Sequence, residues 1–277
     1  MKGRLDNRFR MHVVKTALKR RLFPNTRYVR SEAGVREVYG ENYDRETNDF
    51  FMHNLQDTFI NGKKALYPVV LHKRFLMESF ADRLRPFSPS SILELGSGRG
   101  YNLMALAVLL PDVKEFQGIE LTRSGVETAQ RNRKNPSLSI LAQMTGFSER
   151  EVGERLAGRL IDYREGSIRA LPFSDKSYDA VFSNSVIEQI PRDYLQVFEE
   201  ASRVAKKVGM FSEPFAEAQK GEPIKMMHLR NIDYFCASYT EIEKAGWTIF
   251  SYEPALIQKY VFNTGFLTAF PKEDRTR

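Results

Sequence analysis

The chain reads as an α/β protein built on a parallel sheet with crossover helices, and three observations predict it. Short apolar strands alternate with helical segments from residue 92 onward. The stretch "SILELGSGRGYN", Ser91 to Asn102, sets three glycines at alternate positions directly behind the first of those strands. With 277 residues, 42% hydrophobic and 28% charged, the chain is long enough for one good-sized core with an appendage. The longest apolar run, Leu103–Leu110, falls far short of the roughly 20 residues that cross a bilayer.

Along the chain, residues 1–30 come first as a basic arm. They hold ten Lys/Arg against Asp6 alone, a balance of +9, while the whole chain carries +7, so the remaining residues sum to −2. Leu5, Phe9 and Val13 step at helical spacing, interrupted by Lys2 and Arg20. The arm is open to three readings: an interfacial anchor on an anionic membrane surface, a solvated helical arm, or a nucleic-acid or import segment, the last without the serine enrichment of transit peptides. Residues 31–89 mix aromatic and charged residues at helical density, in "YGENYDRETNDFFMHNL" and "VVLHKRFLMESFADRLRPF", and are expected as two or three helices forming an extension or lid. Pro86, Pro89 and the neighbouring serines end that region.

Residues 90–277 form the expected main domain. Strands are expected at Ile92–Leu95, Phe116–Leu121, Leu160–Arg164, Asp179–Ser183, Val208–Ser212, Trp247–Tyr252 and Phe262–Ala269, the first five separated by helices. Ser148 and Glu151 form a capping box with Phe147 and Val152 as the staple, and Thr240 with Glu243 repeats it before the stop at Gly246. Tyr194, Val197, Phe198, Ala201 and Val204 give a core stripe. Cys236 stands alone, so no internal disulfide forms, and His12, His53, His72 and His228 are too scattered for a Cys/His zinc site. The expectation is an intracellular, metal-free protein.

The glycine turn sits between a strand and a helix, where glycine permits positive φ and close backbone approach and the following helix offers its N-terminal amides. Twenty residues after Gly100, Glu120 ends the second strand in "FQGIEL", the position from which a carboxylate accepts both hydroxyls of a ribose. A nucleoside cofactor in this crevice is the reading that follows. The spacing is G-x-G-x-G, however, and a nicotinamide fingerprint normally reads G-x-G-x-x-G.

Together with "YREGSIRALPFSDKSYDAVFSNSVIEQI", Tyr163 to Ile190, that loop makes residues from about 90 to 271 resemble a class I S-adenosylmethionine-dependent methyltransferase. The resemblance implies a Rossmann-like, seven-stranded, mostly parallel sheet with helices on both faces, its last strand antiparallel, behind an N-terminal helical extension. It implies S-adenosylmethionine as cofactor, with Glu94, Gly96, Ser97, Gly98 and Gly100 at the methionine part and Glu120 on the ribose. Leu121 would meet the adenine face, Ser167 and Ile168 the adenine edge, and Asn184 would lie at the mouth of the fourth strand. Ser167 stands where an acid is often found, and Gln189 where many relatives place a histidine.

For a general base the sequence offers His228, in "PIKMMHLRNIDYF", and Glu213, in "FSEPF", each with an alternative as a packed histidine or a solvated strand-end acid. Tyr43 either closes over the cofactor or packs in the lid, and Arg99 projects from the loop. The chain lacks the Asn/Asp-Pro-Pro-aromatic turn of planar amino-group methylation, and Cys236 is far from any motif for carbon methylation of uracil. The expected activity is O- or N-methylation of a small molecule or glycan by a cytoplasmic enzyme, peripheral at the inner face of a membrane if the arm anchors it. An RNA or ribonucleoprotein methyltransferase using the basic arm, a non-catalytic S-adenosylmethionine-binding protein and a dinucleotide oxidoreductase are the alternatives.

Overall fold

The computed structural model describes residues 5–26, 29–45, 52–60 and 62–272, without the side chains of 26 and 41–45. Helices α1 (Asn7–Leu22) and α2 (Glu32–Arg45) lead into strands β1 (Leu55–Ile60) and β2 (Lys63–Pro68) and helix α3 (Val69–Leu84). Then come β3 (Ser91–Leu95), α4 (Tyr101–Leu109), β4 (Glu115–Glu120), α5 (Arg123–Lys134), α6 (Leu138–Thr145), α7 (Glu149–Leu156) and β5 (Leu160–Glu165). The second half runs β6 (Tyr178–Asn184), α8 (Tyr194–Val204), β7 (Ala205–Glu213), α9 (Pro223–Asn231), β8 (Trp247–Pro254), β9 (Ile257–Lys259) and β10 (Gly265–Pro271).

Seven strands make one sheet in the order β5-β4-β3-β6-β7-β10-β8. Strands β5, β4, β3, β6 and β7 pair parallel, and β10 is antiparallel to both its neighbours, β7 and β8. The expected Rossmann-like sheet with a reversed last strand is therefore present. From β3 the chain builds outward to β4 and β5, then returns to place β6 on the other side of β3. That reversal opens a crevice at the carboxyl ends of β3, β4 and β6.

Each face of the sheet has its own core. Phe116, Phe182, Met210 and Phe266 pack on one face against α3 and α4. All nine residues of α4 are buried, because α3, α6 and α7 cover it from outside while the sheet lies beneath. On the other face the predicted stripe Val197, Phe198, Ala201 and Val204 of α8 meets Leu93, Val181, Phe211 and Trp247. The Ser148–Glu151 capping box closes both ways. The second box does not form: residues Tyr239–Ala245 make a 3-10 helix capped by Ser238, whose hydroxyl accepts from Thr240 N, and Gly246 ends it at φ 80°.

The N-terminal region departs from expectation twice. Residues 31–89 are not all helical, since β1 and β2 form an antiparallel hairpin that β9 extends into a second, three-stranded sheet. Ile60 and Lys63 pair at the end of the hairpin, and Gly62, just before Lys63, has φ 76°. The basic arm is not free either. Leu5 and Phe9 pack with Phe59 and Tyr260, Val13 is fully buried, and Asn231 Nδ2 donates to Val13 O at 2.8 Å. Asp6 caps α1 by accepting from Phe9 N at 2.7 Å and takes a second hydrogen bond from the Tyr260 hydroxyl. The stripe expected to enter a membrane is spent on the body of the protein. Among the described residues no helix is long and apolar enough to cross a membrane.

Phe80 of α3 touches Phe182 and Phe266 at ring-centroid distances of 5.0 and 5.1 Å and is wholly buried. Phe80→Ala is expected to lower unfolding free energy by about 3–5 kcal/mol, read from the denaturant midpoint at unchanged m-value.

Candidate functional site

At the end of β3 the chain turns so tightly that Gly96 N and Ser97 N both donate to Ile119 O, at 2.9 and 3.0 Å. Gly96, Gly98 and Gly100 all have positive φ. Two of these glycines are required by the protein's own neighbours. A Cβ on Gly96 would lie 2.5 Å from a Val186 methyl, and one on Gly100 would lie 2.7 Å from the Tyr163 ring, whose hydroxyl donates to Gly100 O. Gly98 instead turns its amide to Glu120 Oε2 at 3.1 Å.

Glu120 is the fixed anion of the site. Its Oε1 accepts from Thr122 N at 3.1 Å and Thr122 Oγ1 at 2.9 Å, while Thr122 also caps α5. Burial pushes its carboxyl above the usual carboxylate range against the pull of those hydrogen bonds. Around it lies a cavity of about 300 Å³ in the sheet's crevice, of a size with small-molecule sites. Gly96, Ser97, Gly98, Gly100, Glu120, Leu121, Ser167, Ile168 and Asn184, picked out from the sequence, all line it.

Glu94 is set beneath that wall. Its Oε1 accepts from Asn102 Nδ2 at 2.7 Å, and Asn102 Oδ1 accepts from Lys73 Nζ at 2.9 Å. Burial raises the Glu94 carboxyl and lowers the Lys73 ammonium, and each opposes the other's shift. Lys73 and Asn102 reach the cavity surface. Glu94 Oε2, Ser97 Oγ and Asn184 Oδ1 are buried with no hydrogen-bond partner among the described residues. Such orphaned acceptors, beside a lysine and a half-engaged carboxylate, fit a ligand that brings an ammonium, a carboxylate and vicinal hydroxyls.

Helix α2 covers the cavity with Glu32, Val35 and Tyr39, spaced i, i+3, i+7 on one face. It is held by Arg36, which donates to Leu121 O at 2.6 Å and pairs with Glu165, and by Ser124 Oγ, which donates to Gly40 O. The acid missing from position 167 arrives from this helix: Ser167 Oγ donates to Glu32 Oε2 at 2.8 Å, and Arg169 binds the same carboxylate. Burial drives the Tyr39 phenol well above its ordinary value. Tyr43 belongs to α2, but its side chain lies outside the described residues.

Neither candidate base lines the cavity. His228, on α9, stacks edge-on against Phe9 of α1, and burial lowers its imidazole. It is half-buried in that contact, away from the cavity wall. Glu213 is fully buried, not solvated: it accepts from Ser183 Oγ at 2.8 Å and Val186 N at 3.1 Å, so it holds the loop after β6 from below. Sequence reasoning missed Glu32, Tyr39, Lys73, Asn102 and Thr122. The spacing of Glu32, Val35 and Tyr39, and the cap position of Thr122 two residues after Glu120, were available signals; Lys73 carried none.

A methyltransferase-domain family profile matches residues 93–212. Arsenite methyltransferase of Mus musculus is 35% identical over 136 residues, 48% of this chain and 33% of its own. Malonyl-[acyl-carrier protein] O-methyltransferase of Nitrosospira multiformis is 28% identical over 45% of this chain and 38% of its own. The chain thus spans about a third of the curated relatives it matches. Magnesium protoporphyrin IX methyltransferase from Synechocystis PCC 6803, solved with bound S-adenosylhomocysteine, superposes over 87% of this chain and all of its own, with a TM-score of 0.58 at 13% identity. Residues 93–212 thus match a methyltransferase domain, and the fold that carries them is that of an S-adenosylhomocysteine-bound methyltransferase.

The matched segment holds the glycine loop, Glu120, Ser167 and Asn184, yet α2 and Lys73 of α3 lie outside it. The methyltransferase domain is therefore roofed by parts of the chain that the family profile does not cover.

Glu213 makes the site's support pH-dependent. Burial, with the neighbouring Glu188 carboxylate, lifts its pKa from 4.5 to about 7. Because the folded state holds the proton more tightly, the stability linked to it is present below the unfolded pKa and is lost as pH rises through about 7. Glu213→Gln keeps an acceptor for Ser183, so the variant is expected to be flatter than the parent in unfolding free energy between pH 5 and 8, by on the order of 1–3 kcal/mol. Parallel pH profiles would place the titration elsewhere.

Proposed function

We propose that the protein transfers a methyl group from S-adenosylmethionine to a small organic acceptor at an oxygen or nitrogen. The observation that carries this is the buried Glu120 carboxylate, held by Gly98 N and Thr122 on the cavity wall beside the glycine loop. Its remaining lone pairs would take the ribose hydroxyls of the cofactor. Gly96, Ser97, Gly98 and Gly100 would bound the methionine part, Leu121 and Ile168 the adenine faces, and Ser167 with Glu32 its edge. At the other end, Glu94 Oε2 would take the ammonium and Lys73 Nζ the carboxylate. The cofactor supplies a sulfonium methyl that is already electrophilic.

The protein's share is alignment and exclusion of water. Val35, Met52, Val186 and Ile190 supply apolar wall, and α2 closes the top. The two acids on the wall are committed to the chain, Glu32 to Arg169 and Ser167, Glu120 to Gly98 and Thr122. This favours an acceptor that is already nucleophilic at neutral pH, such as a carboxylate or a weakly basic amine, over an aliphatic hydroxyl that needs a base. The relatives' own acceptors span arsenite, a malonyl thioester and a porphyrin. Arsenite suits this site poorly, since soft trivalent arsenic prefers thiolates and Cys236 is absent from the cavity wall.

Calorimetry tests the cofactor assignment. Glu120→Ala is expected to weaken S-adenosylmethionine and S-adenosylhomocysteine by roughly 1.5–3 kcal/mol, the loss of charge-assisted hydrogen bonds. Unchanged affinity would remove the ribose assignment. Lys73→Gln should weaken S-adenosylhomocysteine about tenfold or more while sparing 5′-methylthioadenosine, which lacks the amino-acid end. Equal loss of both ligands would make Lys73 structural. An acceptor screen with carboxylates, amines and alcohols then reads the substrate class.

A further inference from the structure

Docking α1 onto the body uses only one side of that helix. Phe9 packs on His228 of α9 and on Tyr260, and Val13 is buried with its carbonyl bonded by Asn231 of α9, while Met11, Val14, Leu18 and Leu22 fall on the opposite side at i, i+3, i+7, i+11. These four are exposed by 56, 39, 54 and 71%. Phe23, at the helix C-cap, is 59% exposed. Arg8, Lys15 and Lys19 flank the stripe along one edge, and Arg10 and Arg21 along the other, by their helical angles. No Asp or Glu occurs between Asn7 and Arg30.

A helix with an apolar stripe between two rows of cations has the arrangement of an interfacial helix, whose stripe enters the acyl boundary while its cations meet headgroup phosphates. Here the geometry points to a bilayer carrying anionic lipids as the partner, with the outer face of α1 as the docking surface. Two features favour lipid over other occupants. Nucleic acid is served by the cations but gains nothing from four exposed aliphatic side chains. A second copy of the chain would bring two cationic rims together, which repel. The exposed stripe is distinct from the Leu5–Phe9–Val13 stripe, so insertion requires no unfolding of α1 from the body. This inference does not depend on the methyl-transfer reading.

Co-sedimentation of the full chain with phosphatidylcholine vesicles, with and without phosphatidylserine, tests it at low and raised salt. The expected result is binding to the serine-containing vesicles alone, weakened by salt. Leu18→Asp/Leu22→Asp, at exposed positions, should reduce that binding about tenfold or more with thermal midpoint and S-adenosylhomocysteine affinity unchanged. Lys15→Glu/Lys19→Glu should do the same. Three results would overturn the inference: no vesicle binding at low salt, vesicle binding that survives loss of the stripe, or a stripe-dependent dimer in sedimentation that leaves vesicles untouched. Retention on single-stranded RNA that is equal in the parent and in Leu18→Asp/Leu22→Asp, without vesicle binding, would assign the face to nucleic acid instead.

Discussion

Everything at the site depends on how β3 is latched to β4. Gly96 N and Ser97 N share one carbonyl, Ile119 O, and one residue further on the Glu120 carboxylate bonds Gly98 N and the Thr122 cap. A carboxylate in that position does three things at once. It takes the Gly98 amide of the loop, fixes the start of α5, and remains an acceptor on the cavity wall. The latch in turn needs small residues, because Val186 and Tyr163 fill the space where side chains of Gly96 and Gly100 would go. The loop is held by the chain's own hydrogen bonds, which lowers the cost of ordering it on binding.

Beneath the latch the protein buries an unusual number of acids. Glu94, Glu188 and Glu213 are each nearly or fully buried, each keeps one oxygen without a partner among the described residues, and burial raises the pKa of all three. Unpaired carboxylates in apolar surroundings weaken a fold, and they persist where two large cores on either face of the sheet supply the surplus. Their placement is not random. Glu94 supports the wall through Asn102, and Glu213 supports the loop after β6 through Ser183 and Val186. The acids thus act chiefly on the shape and field of the cavity, with Lys73 opposing the shift of Glu94 and Lys259 that of Glu188.

Legibility in the sequence followed the range of each interaction. Strands β3 and β6 were readable because parallel strands buried on both faces are short, mainly apolar segments, and the glycine loop and Glu120 because their spacing is fixed by one turn and one strand. The hairpin was missed although Asn61-Gly62 announces it, since helical density in "VVLHKRFLMESF" was extended backwards over β1 and β2. The Thr240–Glu243 pattern failed because Ser238, two residues earlier, offered a hydroxyl that both caps the turn and bonds Glu217. Glu32, Tyr39 and Lys73 were invisible for a different reason: their roles arise only when α2 and α3 fold back across the sheet, and no local pattern encodes that return.

That return also explains why the N-terminal segment is built as it is. Between α1 and α2, Arg30 is fastened by its amide to Asp233, by its Nε to Ile232 O, by its guanidinium to Gln189, and over the Tyr234 ring at 4.3 Å. Arg192 completes the knot by bonding Asp233 and Arg30 O. Gln189, where a histidine would be expected, is therefore a fastening point for the roof, lining the cavity on one side and holding Arg30 on the other. Helix α2 follows this knot directly and carries Glu32 to Ser167. A helix that grips the body with one face and leaves a cationic, apolar face outward thus precedes in the chain the Arg30 knot from which the roof of the candidate active site begins.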